Sequence, residues 1–491
     1  MESEISYEPN ISRGELHRIP VAVQNTPRDT AVSKTRISSG SGSEPPTESS
    51  QLLNSRMRMN LSKVRAVFAH RNALVDILAI FFGVGTWIGI NSTYVQLPLL
   101  VNATPEGWNL ASYIVIIIQV GNLGPLLYTF LQKFIAIRDN LIIYFLLAIG
   151  IAAGFGMAFL YPITAEIFGA ERSVAIFINV FFFALVGCTS SVLFMPYFGR
   201  FRDIYLITYL IGEGLSGFLP ALLALIQGVG GNAQCILKDG KIESFTPLPR
   251  FGTQTFFLVI SSLFLASFAA FMLLDQLKSI RKEYAASVTI GHGNTYIYNA
   301  NEWSSDDSDL SPKINEKKLS DRNYRGLLVL LGFVCMFSNA IFPSIMSFGT
   351  LPYGNIAYHL AVTLSSIANP VACFIAVFVT STSIRNIIAL CALSIPFAAY
   401  SITTAVLSPS PPLLGNSAGD ILVVLCWTVV TGLVSYIRLK ITTIFRYQGG
   451  QSLVWVGAWT QIGSFFGAIL SFGIVNFTGV FVSYDPCATQ P

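Results

Sequence analysis

Trp87, Asn91 and Tyr94 recur at intervals of four and three residues within an otherwise apolar stretch, Gly83 to Pro98. On a helix that spacing puts an indole, an amide and a phenol on one face. Such groups can stack against a ring and hydrogen-bond to a solute, so the face could line a ligand path. It could equally hydrogen-bond to a neighbouring helix and place aromatic rings at a membrane interface. Further along, Gln119 precedes Gly121-Asn-Leu-Gly-Pro125, with Asn122 between two glycines. Ser338-Asn339 precedes Pro343, and Ser366-Ile-Ala-Asn-Pro370 places Asn369 directly before a proline. Gln461 lies in another apolar run. These amides are neutral, and polar groups inside lipid are costly enough that they usually face a cavity or a partner helix.

True charges in the apolar runs are few. Glu213, in Gly212-Glu-Gly-Leu-Ser-Gly217, could couple a proton, serve a gate or pair with a cytoplasmic-side Arg; the gating or structural roles are favoured. Asp76 and Asp420 fall near run ends and are expected to be hydrated. His359, beside Tyr358, could sense pH or serve as a hydrogen-bonded structural residue. Enzyme signatures do not appear. The chain has no P-loop, no HExxH and no Ser-His-Asp pattern, and four histidines leave little for catalysis. Seven cysteines without a CxxC pair suggest neither zinc nor a dithiol redox site, so no cofactor or metal is expected. The net charge of +4 gives no support to nucleic-acid binding.

The elements that hold these residues must lie in a bilayer. Hydrophobic residues make up 53% of the chain and charged residues 11%, against about 25% charged in a soluble domain. The mean hydropathy is +0.60. Apolar surface on that scale needs lipid as its solvent. Runs of about 20 residues, long enough to span, occur near 73–93, 110–131, 141–161, 173–195, 204–228, 254–275, 325–347, 356–379, 387–407, 418–437 and 453–476. The fold class is therefore an all-α integral membrane protein with about eleven spans. Residues 1–72 read as a polar, disordered tail, so the first apolar run is expected to insert as a signal anchor. A polar stretch over 276–324 reads as a linker and divides the spans into bundles of six (73–275) and five (325–477), with a short tail at 478–491. The first two spans of each half are interrupted by Gly or Pro and carry a buried Asn, a pattern that points to a midplane transport site.

Lys and Arg set the orientation. With the N-terminus inside, all of the 30 basic residues except Arg172, Lys238, Lys241 and Arg250 are cytoplasmic. The bias survives when only short loops are compared. An odd number of spans then leaves the C-terminus outside. Asn102-Ala-Thr104 becomes a glycosylation sequon in the first outer loop, while the sequons at Asn10 and Asn60 lie inside. Only Cys235 and Cys487 fall on the oxidising side, where pairing would tether the tail; two free thiols are the alternative. Cys188, Cys335, Cys373, Cys391 and Cys426 fall in helices as packing residues.

The sequence resembles the eukaryotic riboflavin transporter family of solute carriers over about residues 75–475. The resemblance rests on Gly85-Thr-Trp-Ile-Gly-Ile-Asn91 with Leu97-Pro98, Pro105-Glu-Gly-Trp108, Gly121-Asn-Leu-Gly124 and Ala224-Leu-Ile-Gln-Gly-Val-Gly230. It continues in Leu351-Pro-Tyr-Gly354, Ala357-Tyr-His-Leu360, Ala368-Asn-Pro-Val-Ala-Cys373 and Leu407-Ser-Pro-Ser-Pro-Pro-Leu413. It implies a six-plus-five relative of the major facilitator architecture and sodium-independent, facilitative or weakly pH-sensitive riboflavin uptake at the plasma membrane. The chain departs from the family at Gln96, where many animal members carry Glu, and at Glu213, where Gln is expected.

Riboflavin suits the residues. Its flat ring wants aromatic stacking and amide partners, its ribityl hydroxyls want polar side chains, and it is uncharged at neutral pH. On this reading Trp87, Asn91, Gln119, Asn122, Asn339, Tyr353, Asn369 and Gln461 contact the substrate, with Tyr94 and Tyr358 at the outer gate. Gln96, Glu213 and His359 are the gating or coupling candidates. A transporter of nucleosides or other small polar aromatic solutes is one alternative, and a membrane receptor without flux is another.

Overall fold

Helices dominate the computed structural model, which describes residues 71–487 apart from 136, 168, 199, 202, 229–233, 239–240, 246–247, 284–288, 291–295, 298–318, 379–382, 447, 449 and 485–486. The expected N-terminal tail up to residue 70, most of the linker and residues 488–491 lie outside the described residues. Among the described residues, ten helices are long and apolar enough to cross a membrane, and a bent pair brings the number to eleven.

The bent pair is the first span. It consists of α1 (Ala73–Val84) and α2 (Ile88–Val95), which meet at 53°. A short α3 (Leu97–Val101) follows, with Pro98 in its first turn. Its bend has a local cause. Gly83 and Gly85 weaken the helix, Thr86 Oγ1 donates to the Gly83 carbonyl at 2.7 Å, and Trp87 sits at φ −112°, ψ 3°, outside helical geometry. Gly83 is also a packing residue: a Cβ there would lie 2.8 Å from the Glu213 nitrogen.

The second span is α4 (Leu110–Gly121) and α5 (Leu123–Phe134), joined at Asn122. The next four are α6 (Asp139–Leu160), α7 (Val174–Phe198), α8 (Asp203–Gln227) and α9 (Thr253–Gln276). In the second half, α10 (Asp321–Met336) passes through a π-helical turn at Phe337–Ile341 into α11 (Phe342–Thr350). Pro343 lacks the N–H that would continue the regular ladder, and the wide turn precedes it. Then come α12 (Asn355–Phe378), α13 (Ile384–Val406), α14 (Ser417–Arg446) and α15 (Gly450–Phe477). Each span expected from hydropathy has its helix. The largest boundary difference is in α14, which runs nine residues past the expected 437 and carries Arg438 inside the helix rather than in a loop.

Two small hairpins decorate one end. One pairs β1 (Ala165–Ile167) with β2 (Ala170–Arg172), and the other pairs β3 (Gln234–Lys238) with β4 (Lys241–Phe245). Cys235 in β3 is disulfide-bonded to Cys487, joining a loop of the first half to the tail of the second across 252 residues. The five other cysteines are free thiols in helices. The end with Asn102 and this disulfide is the outer end in the orientation that the basic residues set.

Each half has its own core. In the first, Phe82 stacks on Phe194 at 4.6 Å and on Phe271 at 5.1 Å, amid Tyr197, Phe198 and Tyr209. In the second, Trp427 is fully buried, edge-on to Phe342 at 5.7 Å. The bundle's outside is apolar too: Phe134, Leu126, Ile395, Phe466 and Ile421 are all more than 60% exposed. That distribution suits a lipid solvent and would aggregate in water.

Candidate functional site

Of the first-half candidates, Asn91 lies where the two bundles meet. Trp87 is half-buried at the α1–α2 break, and its ring covers Gly187 of α7. A Cβ at Gly187 would approach the indole to 2.9 Å, so the glycine makes the ring's seat. One turn later, the Asn91 amide donates to Ser216 Oγ of α8 at 3.4 Å. Gly217 faces both Asn91 and the Ser366 carbonyl of α12, which puts Asn91 on the seam between the halves. The Gln119 Oε1 accepts from Asn122 Nδ2 at 3.1 Å, while Asn122 Oδ1 is buried without a partner among the described residues.

In the second half, Asn339 occupies the π turn. Its Nδ2 donates to Ser464 Oγ at 2.9 Å, and its Oδ1 accepts from Arg438 Nη1 at 3.0 Å. Arg438 is thus a site neighbour that the sequence hid, because hydropathy ends the span at the first cation. Asn369 is exposed although it is mid-helix, and it lies opposite the α12 stripe Ile356, Leu360, Leu364, Val371 and Ile375 that suits lipid. It therefore faces the interior of the bundle, with the Cys373 thiol 3.9 Å from its oxygen. Gln461 is exposed on α15, two turns below Ala468, which packs with Val115 and Tyr94 of the first half.

The outer end of the seam is shut. The Tyr358 hydroxyl donates to the Tyr94 carbonyl at 3.5 Å, and Trp108 meets the Tyr358 ring edge-on at 5.8 Å. Asn476 Nδ2 donates to Ser112 Oγ at 2.9 Å, and Tyr113 meets Phe472 at 5.0 Å. Among the described residues, the hydrogen bonds between the halves are those two, both at the outer end. Nearer the midplane α8 rests on α12, where a Cβ at Gly214 would come within 2.9 Å of Pro370.

Other residues take different places. Gln96 is fully buried; its amide donates to Gln227 Oε1 at 2.6 Å, and Gln227 donates to the Phe251 carbonyl at 2.8 Å. This amide chain clamps α2, α8 and the loop before α9. Tyr353 is buried in the core of the second half, where its hydroxyl donates to the Pro412 carbonyl at 2.6 Å. It stands apart from the seam, on a groove of about 390 Å³ between α12 and α14 walled by Leu360, Ile421 and Leu425. His359 is buried, and its Nε2 has no partner among the described residues. Glu213 makes no side-chain hydrogen bond or ion pair among the described residues. Asp76, expected to be hydrated, pairs instead with Arg71 at 2.8 Å and accepts from Thr208 at 2.6 Å. Asn102 is exposed just beyond α3. No cluster of metal-ligating side chains occurs among the described residues.

Two six-and-five helical bundles, meeting along a polar seam that is shut at one end, define a membrane protein of the major facilitator fold. A solved structure of a variant of the nucleoside transporter NupG shares that fold, with a TM-score of 0.52 at 9% identity over 82% of this chain and 91% of that one. The family model described as "Solute carrier family 52, riboflavin transporter" matches residues 71–483, and the chain belongs to that family. Solute carrier family 52, riboflavin transporter, member 3-A of Danio rerio is 38% identical over 85% of this chain and 98% of its own length. The Homo sapiens member 3 is 32% identical, with 84% and 98% covered, and member 2 is 34% identical, with 85% and 97% covered.

Proposed function

We propose that this chain carries riboflavin across the plasma membrane, independently of sodium, by alternating access of its two bundles. Family membership supports the substrate. The site reading is supported by Asn91, which sits beside the Trp87 turn where Gly217 faces both it and the Ser366 carbonyl of the other half, and it takes the uncharged amides of Gln119, Asn122, Asn339, Asn369 and Gln461 as further contacts. Amides match the acceptors and donors of a flavin's pyrimidine edge and the hydroxyls of its ribityl chain, and an indole can stack on its ring. Arg438 brings one cation near Asn339, short of the clustered cations expected for phosphorylated flavins.

Closure at the outer end, with hydrogen bonds Tyr358–Tyr94 and Asn476–Ser112, corresponds to a state open toward the cytoplasm. In the opposite state these contacts part and the inner ends of the bundles approach, with the α8–α12 contact as the pivot. The positive-inside orientation makes Asn102 a glycan acceptor. Expression in a riboflavin-auxotrophic cell tests the function: growth and saturable riboflavin uptake are expected, with no effect of replacing sodium. No uptake at good surface expression would contradict it.

A further inference from the structure

Among the described residues, two charged side chains near the pivot have no opposite charge beside them. Glu213 belongs to α8 of the first half and points away from the stripe Leu210, Ile211, Leu222, Leu225 and Ile226 that suits lipid. Among the described residues its carboxylate has neither a hydrogen bond nor an ion pair. Arg438 belongs to α14 of the second half. Among the described residues its guanidinium is held by a neutral acceptor, Asn339 Oδ1 at 3.0 Å, and by no carboxylate. Two ion pairs among the described residues, Arg71–Asp76 and Arg200–Asp139, stay within the first half. Charges at this depth normally find an opposite charge, because lipid and protein solvate them poorly.

The two charges also approach a common point. Gly214, next to Glu213, packs on Pro370 of α12, and Cys373 lies one turn further along that helix. On the other side α14 packs along α12: a Cβ at Gly432 would lie 3.6 Å from Ala368, and Lys440 Nζ donates to the Ala376 carbonyl at 2.9 Å, so Arg438 of α14 runs beside the same stretch of α12 as Cys373. The anion therefore comes to Cys373 from one bundle and the cation from the other. They lie beyond ion-pair distance in the state described, which is shut outside. Rocking about the α8–α12 contact so that the inner ends approach would bring them together.

We propose that Glu213 and Arg438 form an inter-bundle latch, an ion pair that closes over Cys373 in the outward-facing state and is open in the present one. It rests on the alternating-access reading above. In the outward-facing state the latch substitutes for the outer contacts of Tyr94, Tyr358, Ser112 and Asn476, which that state has lost. Arg438 is a positioning residue in both states: it orients Asn339 in one and ties the bundles in the other.

Cys373 is a built-in reporter. The full chain in inside-out vesicles is treated with a membrane-impermeant maleimide on the cytoplasmic face, and labelling at Cys373 is read by peptide mapping. Glu213→Gln and Arg438→Gln should each raise the labelling rate, by about threefold or more, because each removes the latch and favours the inward-open state. A purely local charge effect would move the two variants in opposite directions, since one loses an anion and the other a cation beside the thiol. The double exchange, Glu213→Arg with Arg438→Glu, should return labelling toward the wild-type rate and recover uptake lost in the single variants. Opposite signs in the single variants, unchanged labelling in both, or a double exchange no better than the worse single variant would overturn the latch. A single variant that fails to fold but is restored by the exchange supports the pair; one that the exchange does not restore counts against it. Labelling needs no transported solute, so a chain that passes this test and fails to move riboflavin would overturn the substrate reading alone.

Discussion

Asn91 is the candidate contact that lies closest to both halves. Its amide is anchored by one long hydrogen bond to Ser216, and it lies beside the opposite bundle's Ser366 carbonyl. Such an amide retains capacity for a solute. Replacing it with Ala should lower kcat/KM for riboflavin by roughly tenfold, the worth of one well-placed hydrogen bond, at normal surface level. Equal uptake by the variant would remove Asn91 from the site. Gln227 gives a contrasting expectation. Its loss would leave the fully buried Gln96 amide without an acceptor, at a cost of about 1–3 kcal/mol. Gln227→Ala should therefore lower the melting temperature, measured in detergent, with the riboflavin dissociation constant little changed. The amides stood out in sequence because lipid makes every uncompensated polar group conspicuous. Tyr353 stood out for the same reason, and the fold adds what the sequence did not show, the Pro412 carbonyl that its hydroxyl donates to. Arg438 was hidden because a cation near the end of an apolar run reads as the start of a loop, yet α14 continues through it and carries it to Asn339.

Interruptions decide the shape of the elements. The α1–α2 bend, the Asn122 junction and the π turn before Pro343 fall where the sequence places Gly or Pro near Trp or Asn, whereas α12 runs unbroken through Asn369-Pro370, where an interruption was also expected. The sequence did not announce how the pieces cross. Gly212 shows why. A Cβ at that position would overlap the Ile80 carbonyl oxygen, so the α1–α8 crossing needs bare backbone on one side. From sequence, Gly212 and Gly473 are equally plausible packing glycines, but a Cβ at Gly473 meets nothing within 4 Å. Gly212→Val should abolish monodisperse folded protein on size-exclusion chromatography, while Gly473→Ala should behave as wild type. A well-folded Gly212→Val variant would contradict the crossing. Helix positions came from hydropathy, a property of each segment alone. Crossings depend on which surfaces meet, and a single sequence does not record that.

For the molecule as a whole, the six-plus-five division follows from one polar stretch, and the proposed orientation rests on where Lys and Arg accumulate. The Cys235–Cys487 bond fits that orientation, since it needs both the β3 hairpin and the tail on the oxidising side. Cys487→Ser should destabilise the fold by about 2–4 kcal/mol. It should also make Cys235 reactive to an impermeant maleimide added outside intact cells, whereas the wild type stays unlabelled there. Labelling of Cys235 only from the cytoplasmic face would reverse the topology. The chain's amides and aromatics suit a neutral, flat, hydrogen-bonding solute; riboflavin enters through the family. The most direct measurement is therefore uptake by liposomes containing only this purified chain. The account predicts saturable accumulation of labelled riboflavin without sodium or ATP, reduced by unlabelled riboflavin and unaffected by an equal concentration of nucleosides. Intact, correctly inserted protein that moves no riboflavin, or that nucleosides inhibit as strongly as riboflavin does, would contradict it.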